Sequence, residues 1–250
     1  MNLDKHAVPS RGEWFASTHW SVVLAARNGE TTGAAAALEK LCKTYWPPLY
    51  AFIRREGYDE SEAKDLTQEF FLKLIERDYL QHLRHQRGRF RSFILTVLKH
   101  FLQEQRGKAG AQKRGGGKVI ISLNQLAEEG PYSCEPVDHF SPDHAFERRW
   151  AQTVLQTVLN RLRGEYAALG KAPLFDVLKE LQPGESDTPS HAEVGVRFGM
   201  TEAAVKSAAQ RMRRRHREIL REEIAHTVTR PEDVDEEIRH LCEVLAWPTQ

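Results

Sequence analysis

Twelve residues in the last third of the chain carry two helix starts and one helix stop, and that spacing constrains the fold more than any other feature. The segment is TPSHAEVGVRFGMTEAAVKSAAQRMRRRHREILR, residues 188–221. Ser190 with Glu193 three residues on has the form of a capping box, in which each side chain satisfies an orphan amide of the other. Gly199 stands where a left-handed residue ends a helix, and Thr201 is placed to cap a second one, with Glu202 near its positive end. Val194 and Phe198 fall one turn apart on the inner face of the first helix, and Gly195 permits close approach. Val205, Ala208, Ala209 and Met212 form the apolar stripe of the second. The spacing predicts two helices meeting at a tight turn.

The second helix leaves Lys206, Ser207, Gln210, Arg211 and Arg214 off that stripe, on one face suited to a major groove. From 206 to 221 there are seven Lys/Arg against one Glu, a net of +6, which favours contact with phosphates. A basic helix alone is equally a solvated amphipathic face. The cap, glycine turn and apolar spacing together favour DNA binding.

The whole chain carries 36 Lys/Arg and 35 Asp/Glu, so a nucleic-acid surface requires charge to be segregated. It is segregated. Residues 84–118 hold ten Lys/Arg against Glu104, and 231–245 hold six acids against Arg239. Cys42, Cys134 and Cys242 are far apart and lack the paired spacing of a zinc or redox site, which fits a reducing cytoplasm. No apolar run approaches the ~20 residues of a membrane span, and the N-terminus lacks an apolar signal core. The expectation is a chain neither exported nor inserted in a membrane, without metal or cofactor.

Residues 1–16 are expected to be a mobile leader. A short helix burying Trp20, Val23 and Leu24 follows, and another from about Thr32 carries Ala37, Leu38, Leu41 and Tyr45. Pro47 and Pro48 predict a kink or restart there, before Leu49, Phe52 and Ile53 continue the face to Gly57. Asp59 and Glu62 start the next helix. Its inner stripe is predicted to be Ala63, Leu66, Phe70 and Leu74, turning Asp65, Gln68, Glu69 and Lys73 outward, with Phe71, Leu72 and Ile75 at the boundary. Outward acids with no His to complete a ligand set indicate a solvated or partner-binding face rather than a catalytic site.

Residues 76–91 are predicted to be a helix end and loop, and Ser92–Gln105 a helix with Phe93, Ile94, Val97 and Phe101 in the core. Phe90 and the loop arginines lie outside that stripe, as candidates to stack unpaired bases and hold their backbone. Residues 107–141 have the glycines and prolines of a linker, and Gly115–Lys118 lacks the spacing of a nucleotide-binding loop. Beyond it a long helix carries Phe146, Trp150, Val154, Val158 and Leu162 four apart. Leu174, Phe175, Val177, Leu178 and Leu181 form a shorter one, and both are expected to support the helix pair. Pro231 begins a last acidic helix with Val234, Ile238, Leu241 and Leu245 as its stripe, either covering the second domain or competing with nucleic acid for the basic helix.

Taken in order, YWPPLYAFIRREG, DLTQEFFLKL, FRSFILTVLKHFLQEQR and HAEVGVRFGMTEAAVKSAAQRMRRRH resemble successive motifs of a bacterial sigma factor of the extracytoplasmic-function subfamily of the sigma-70 family. The resemblance runs from about Thr18 to Glu223. It implies an all-α chain with a region 2-like domain at 17–110, a linker at 111–141 and a region 4-like helix-turn-helix domain at 142–226, while the leader and the acidic helix at 227–250 lie beyond that two-domain pattern. It implies as partners core RNA polymerase, through its β′ clamp helices and its β flap, and promoter DNA, with an anti-sigma factor or other regulator as a further candidate. Asp65, Gln68, Glu69 and Leu72 fall where family members dock on the clamp helices. Arg84, Arg87, Arg89, Phe90, Arg91, Lys99 and Arg106 resemble the parts that capture and open the −10 element. Lys206, Ser207, Gln210 and Arg211 fall where the −35 element is read, with Arg214 and Arg215 adding phosphate contacts. The Ala208-Ala209-Gln210 run departs from the bulkier or basic residues of many members, so a −35 preference does not transfer. A stand-alone DNA-binding regulator explains 146–223 but gives DLTQEFF no role, and a nuclease using Asp65 and Glu69 lacks a metal constellation.

Overall fold

A computed structural model describes residues 34–76, 89–113, 141–181, 189–228 and 230–247. Among these the regular structure is helical with no strand, as expected for an all-α chain. The helices are α1 Ala34–Arg55, α2 Glu60–Glu76, α3 Phe90–Lys113, α4 Pro142–Ala168, α5 Ala172–Leu178, α6 His191–Phe198, α7 Glu202–Ala225 and, after a 3-10 turn at Pro231–Asp233, α8 Val234–Leu245. The expected leader, the helix at 18–26, the loop with Arg84 and Arg87, and most of the 111–141 linker lie outside the described residues. The described residues fall into two compact units, the first those of 34–150 with 242–247 and the second those of 151–241.

The first unit is built on aromatic packing. Leu41, Tyr45, Leu49, Phe52 and Ile53 of α1 repeat every three or four residues and are all buried. Of the kink or restart expected at Pro47-Pro48, the restart is absent, because one α-helix spans both prolines. Each proline removes one backbone donor, but buried residues on both sides keep the two halves on one core. Gly57, at φ +93°, ends the segment. Asp59 and Glu62 then exchange backbone-to-carboxylate bonds at 2.8 and 3.2 Å to start α2.

On α2, Ala63, Phe70 and Leu74 are buried as predicted, but Leu66 is only half-buried and Thr67 takes the inner position. Its hydroxyl donates to the Ala63 carbonyl at 2.6 Å, so this polar side chain enters the core already satisfied. Trp46 and Phe71 stack at 5.9 Å, and Phe70 meets Phe101 of α3 at 5.6 Å.

In the second unit Val154, Val158 and Leu162 of α4 are buried at four-residue spacing, as are Phe175, Val177 and Leu178 of α5. α6 and α7 pack on one another, and α5 also contacts α7. The buried stripe of α8 is Val234, Glu237, Leu241 and Val244, with Ile238 and Leu245 half-buried. The buried face is thus rotated from the predicted one, because sequence pattern alone assigns a carboxylate such as Glu237 outward.

Candidate nucleic-acid interface

The pair α6–α7 is held by the local signals that the sequence carries. Ser190 Oγ accepts the Glu193 backbone N–H at 3.2 Å, while the Glu193 carboxylate accepts the Ser190 N–H at 2.7 Å. This holds the Glu193 carboxyl below the usual carboxylate range, the bond from the Ser190 backbone being the main cause. Gly199 ends α6 at φ +63°, and Thr201 Oγ1 accepts from the Ala204 N–H at 3.2 Å to start α7. The turn is tight at Gly195, where a Cβ would lie 2.6 Å from the Met200 carbonyl oxygen. Met200 N–H in turn donates to the Gly195 carbonyl at 2.8 Å.

Val205, Ala208, Ala209 and Met212 are buried, which turns Lys206, Ser207, Gln210, Arg211 and Arg214 outward together. This is the face expected from the spacing. Lys206 pairs along the helix with Glu202 at 2.6 Å, and Arg214 with Glu218 at 3.0 Å. Such exposed pairs along one helix are weak and exchange readily for other anions. Arg215 is placed differently. Its Nε and Nη2 donate to the two oxygens of Glu165 at 2.9 and 2.7 Å, and its Nη1 to Glu218 and Glu222 at 3.3 Å each. Arg213 donates to the Leu181 carbonyl at 2.7 Å, and Arg221 pairs with Asp235 at 2.5 Å. Of the acidic tail, this Asp235 contact reaches Arg221, two turns beyond Arg214 toward the end of α7.

The first unit holds the other expected sites. Asp65 and Gln68 of α2 are exposed, and Leu72 beside them has 59% of its surface open. Leu72, assigned to the boundary from the sequence, thus belongs to an outward polar face with one apolar member. Glu69 is less open. Its Oε1 accepts from Gln105 Nε2 at 2.6 Å and lies 2.6 Å from Lys73 Nζ, tying α2 to α3.

The expected base-stacking role of Phe90 meets a contrary placement. Phe90 begins α3 at 2% exposure, with its ring edge-on to Tyr45 at 5.0 Å. Residues of two helices enclose it, and the pattern that begins the stripe at Ser92 misses this. Arg91 is buried too, pairing with Glu147 of α4 and lying over the Trp150 ring at 5.2 Å. Arg89 is half-buried. Lys99 and Arg106 are exposed, the first 2.5 Å from Asp143 and the second 2.5 Å from Glu56 and over Tyr58.

The ring of charge around Arg215 is what the sequence reading missed. Glu165 and Arg161 lie some fifty residues away, so no local pattern links them. One signal was present: Arg215 stands three residues after Met212 and four before Ile219, both on the buried stripe. Among the described residues no group of three His, Cys, Asp or Glu side chains is placed to hold a metal, and no helix is long and apolar enough to cross a membrane.

No curated protein and no solved structure matches the chain. Residues 41–111 match the family model described as Sigma-70 region 2. The match covers most of α1, all of α2 and nearly all of α3, and so includes the Asp65, Gln68 and Leu72 face. It supports a sigma factor of the sigma-70 family, with a role in promoter recognition and transcription initiation.

Proposed function

We propose that the chain is an extracytoplasmic-function type sigma factor that binds core RNA polymerase and places two DNA-reading elements on a promoter, with no reaction of its own. One observation carries this reading: the region 2 match at 41–111 stands in the same chain as a doubly capped helix-turn-helix with a basic outer face. In it, the Asp65, Gln68 and Leu72 face of α2 docks on the β′ clamp helices. The region 2 match at 41–111 covers that face, and Leu72 gives it one exposed apolar contact. Glu69 supports that face from behind through Gln105. α7 enters the major groove upstream with Lys206, Ser207, Gln210 and Arg211. Lys99 and Arg106, both exposed, contribute to the −10 contacts. Phe90 and Arg91 brace the start of α3 for that segment. The place of action is the cytoplasm.

The structure sharpens the test. Asp65→Arg with Leu72→Ala leaves the Glu69–Gln105 link intact, so it probes docking without loosening α2 from α3. Co-purification with core polymerase is expected to fall at least tenfold in this variant. Lys206→Ala with Arg211→Ala is expected to retain polymerase and lose upstream promoter protection. Equal loss of both properties in both folded variants contradicts the division. A stand-alone DNA-binding regulator would instead show no polymerase retention in the wild-type chain.

A further inference from the structure

We propose that the cations of α7 are divided by the side of the helix on which they stand: Arg215 is a positioning residue that sets the roll of α7 against α4, and Arg214 carries the phosphate contact. This rests on the reading of α7 as the DNA-reading helix and assigns to Arg215 a role other than the phosphate contact expected of it.

Position comes first. Met212 and Ile219, on either side of Arg215 by three and four residues, are 7% and 0% exposed, so Arg215 stands at the margin of the buried stripe. Arg214, one residue back and about 100° around the helix, has 79% of its side chain open. Occupancy follows from position. A guanidinium binds a phosphate through the same fork that it offers a carboxylate. In Arg215 both edges of that fork are in use, Nε and Nη2 on Glu165, Nη1 on Glu218 and Glu222. Arg161 closes the arrangement from α4. Its Nη2 pairs with Glu222, its Nη1 donates to Glu223 at 3.3 Å, and its Nε lies 3.9 Å from Glu165. Arg161 and Arg215 therefore share Glu165 and Glu222 in a closed ring across two helices.

A bidentate pair within a network is the case in which a part-exposed ion pair holds geometry. The ring contains α4 and α7 only, so it resists rotation of α7 about its own axis. Rotation is the coordinate that matters for a reader. Gln210 must meet a base edge with hydrogen-bond accuracy, whereas phosphate contacts tolerate small shifts.

Three readouts on the full chain test this, using a mixed-sequence 30-base-pair duplex and a duplex enriched from a random pool by the wild-type chain. Arg214→Gln is expected to make the dependence of log affinity on log salt shallower by ~0.9, the release from one phosphate. Arg215→Gln and Arg215→Lys are expected to leave that slope unchanged. Both are expected to reduce, several-fold, the preference for the enriched duplex at a temperature well below their Tm. Val158→Ala, which loosens the α4 core without touching the ring, is expected to lower Tm and keep the preference. Rescue of the preference by the exchanged pair Arg215→Glu with Glu165→Arg adds support. The proposal is overturned if Arg215→Gln flattens the slope as Arg214→Gln does, if Arg215→Lys keeps wild-type preference, or if Val158→Ala loses it equally. If neither Arg211→Gln nor Arg214→Gln alters the slope, α7 does not face DNA, and the reading beneath the proposal falls with it.

Discussion

A phenylalanine stacks on a base only where its face meets solvent, and Phe90 offers 2% of its surface. Its contacts with Tyr45 and Phe93 make it a core residue at a helix start. Phe90→Ala is expected to cost about 3–5 kcal/mol in denaturant unfolding, the usual range for a buried aromatic. Any loss of DNA binding would then follow the loss of fold. Gly195 makes a comparable demand for a different reason. A methyl group there would sit 2.6 Å from the Met200 carbonyl oxygen, which belongs to backbone and cannot swing aside. Gly195→Ala is expected to destabilise by about 1–3 kcal/mol, as overpacking does, and to weaken duplex binding. Circular dichroism melting alongside anisotropy checks both effects. Gly195 was legible in the sequence because a glycine weakens a short helix, and its place beside a turn points to close backbone approach as the return. Phe90 was not legible, since its burial depends on Tyr45, forty-five positions earlier.

At the scale of the element, helices were legible where their ends are set locally. The Ser190–Glu193 box, Gly199 and Thr201 bound α6 and α7 at the expected residues because every partner lies within four positions. Ser190→Ala is expected to cost about 1 kcal/mol of stability. Prolines 47 and 48 do not restart the helix for the converse reason: local chemistry favours a break, and burial of residues before and after them keeps one helix. α4 and α7 add an electrostatic element that no local pattern contains. Arg215, and after it Arg161, hold the Glu165 carboxyl below its ordinary range. A lowered carboxylate contributes stability that is present above the unfolded value near pH ~4.3 and is lost as pH falls through the folded one. Below about pH 4 the wild-type Tm is therefore expected to drop more steeply than that of Glu165→Gln. Parallel acid limbs in thermal melts from pH 3 to 7 would remove Glu165 from the account.

For the whole molecule, near-neutral charge conceals sorted charge: a basic α7, a basic stretch at 84–118 and an acidic 231–245 within a net of +1. The sorting was plain in the sequence. Which cations are held by carboxylates distant in sequence was not, because that depends on groups such as Glu165 and Glu56 brought close only by folding. The acidic end of the chain meets the basic helix through Arg221 and Asp235, two turns beyond Arg214. Deleting 228–250 is thus expected to leave duplex affinity within about twofold if the variant stays folded, since one exposed pair is worth little. The central claim concerns polymerase, on which region 2 and the helix-turn-helix must act together. Its most direct test is run-off transcription with purified core RNA polymerase, this chain and a set of native promoter fragments. The account requires specific transcripts that depend on the chain and disappear with either Asp65→Arg plus Leu72→Ala or Lys206→Ala plus Arg211→Ala. A folded, DNA-binding chain that yields no initiation on any fragment would contradict it.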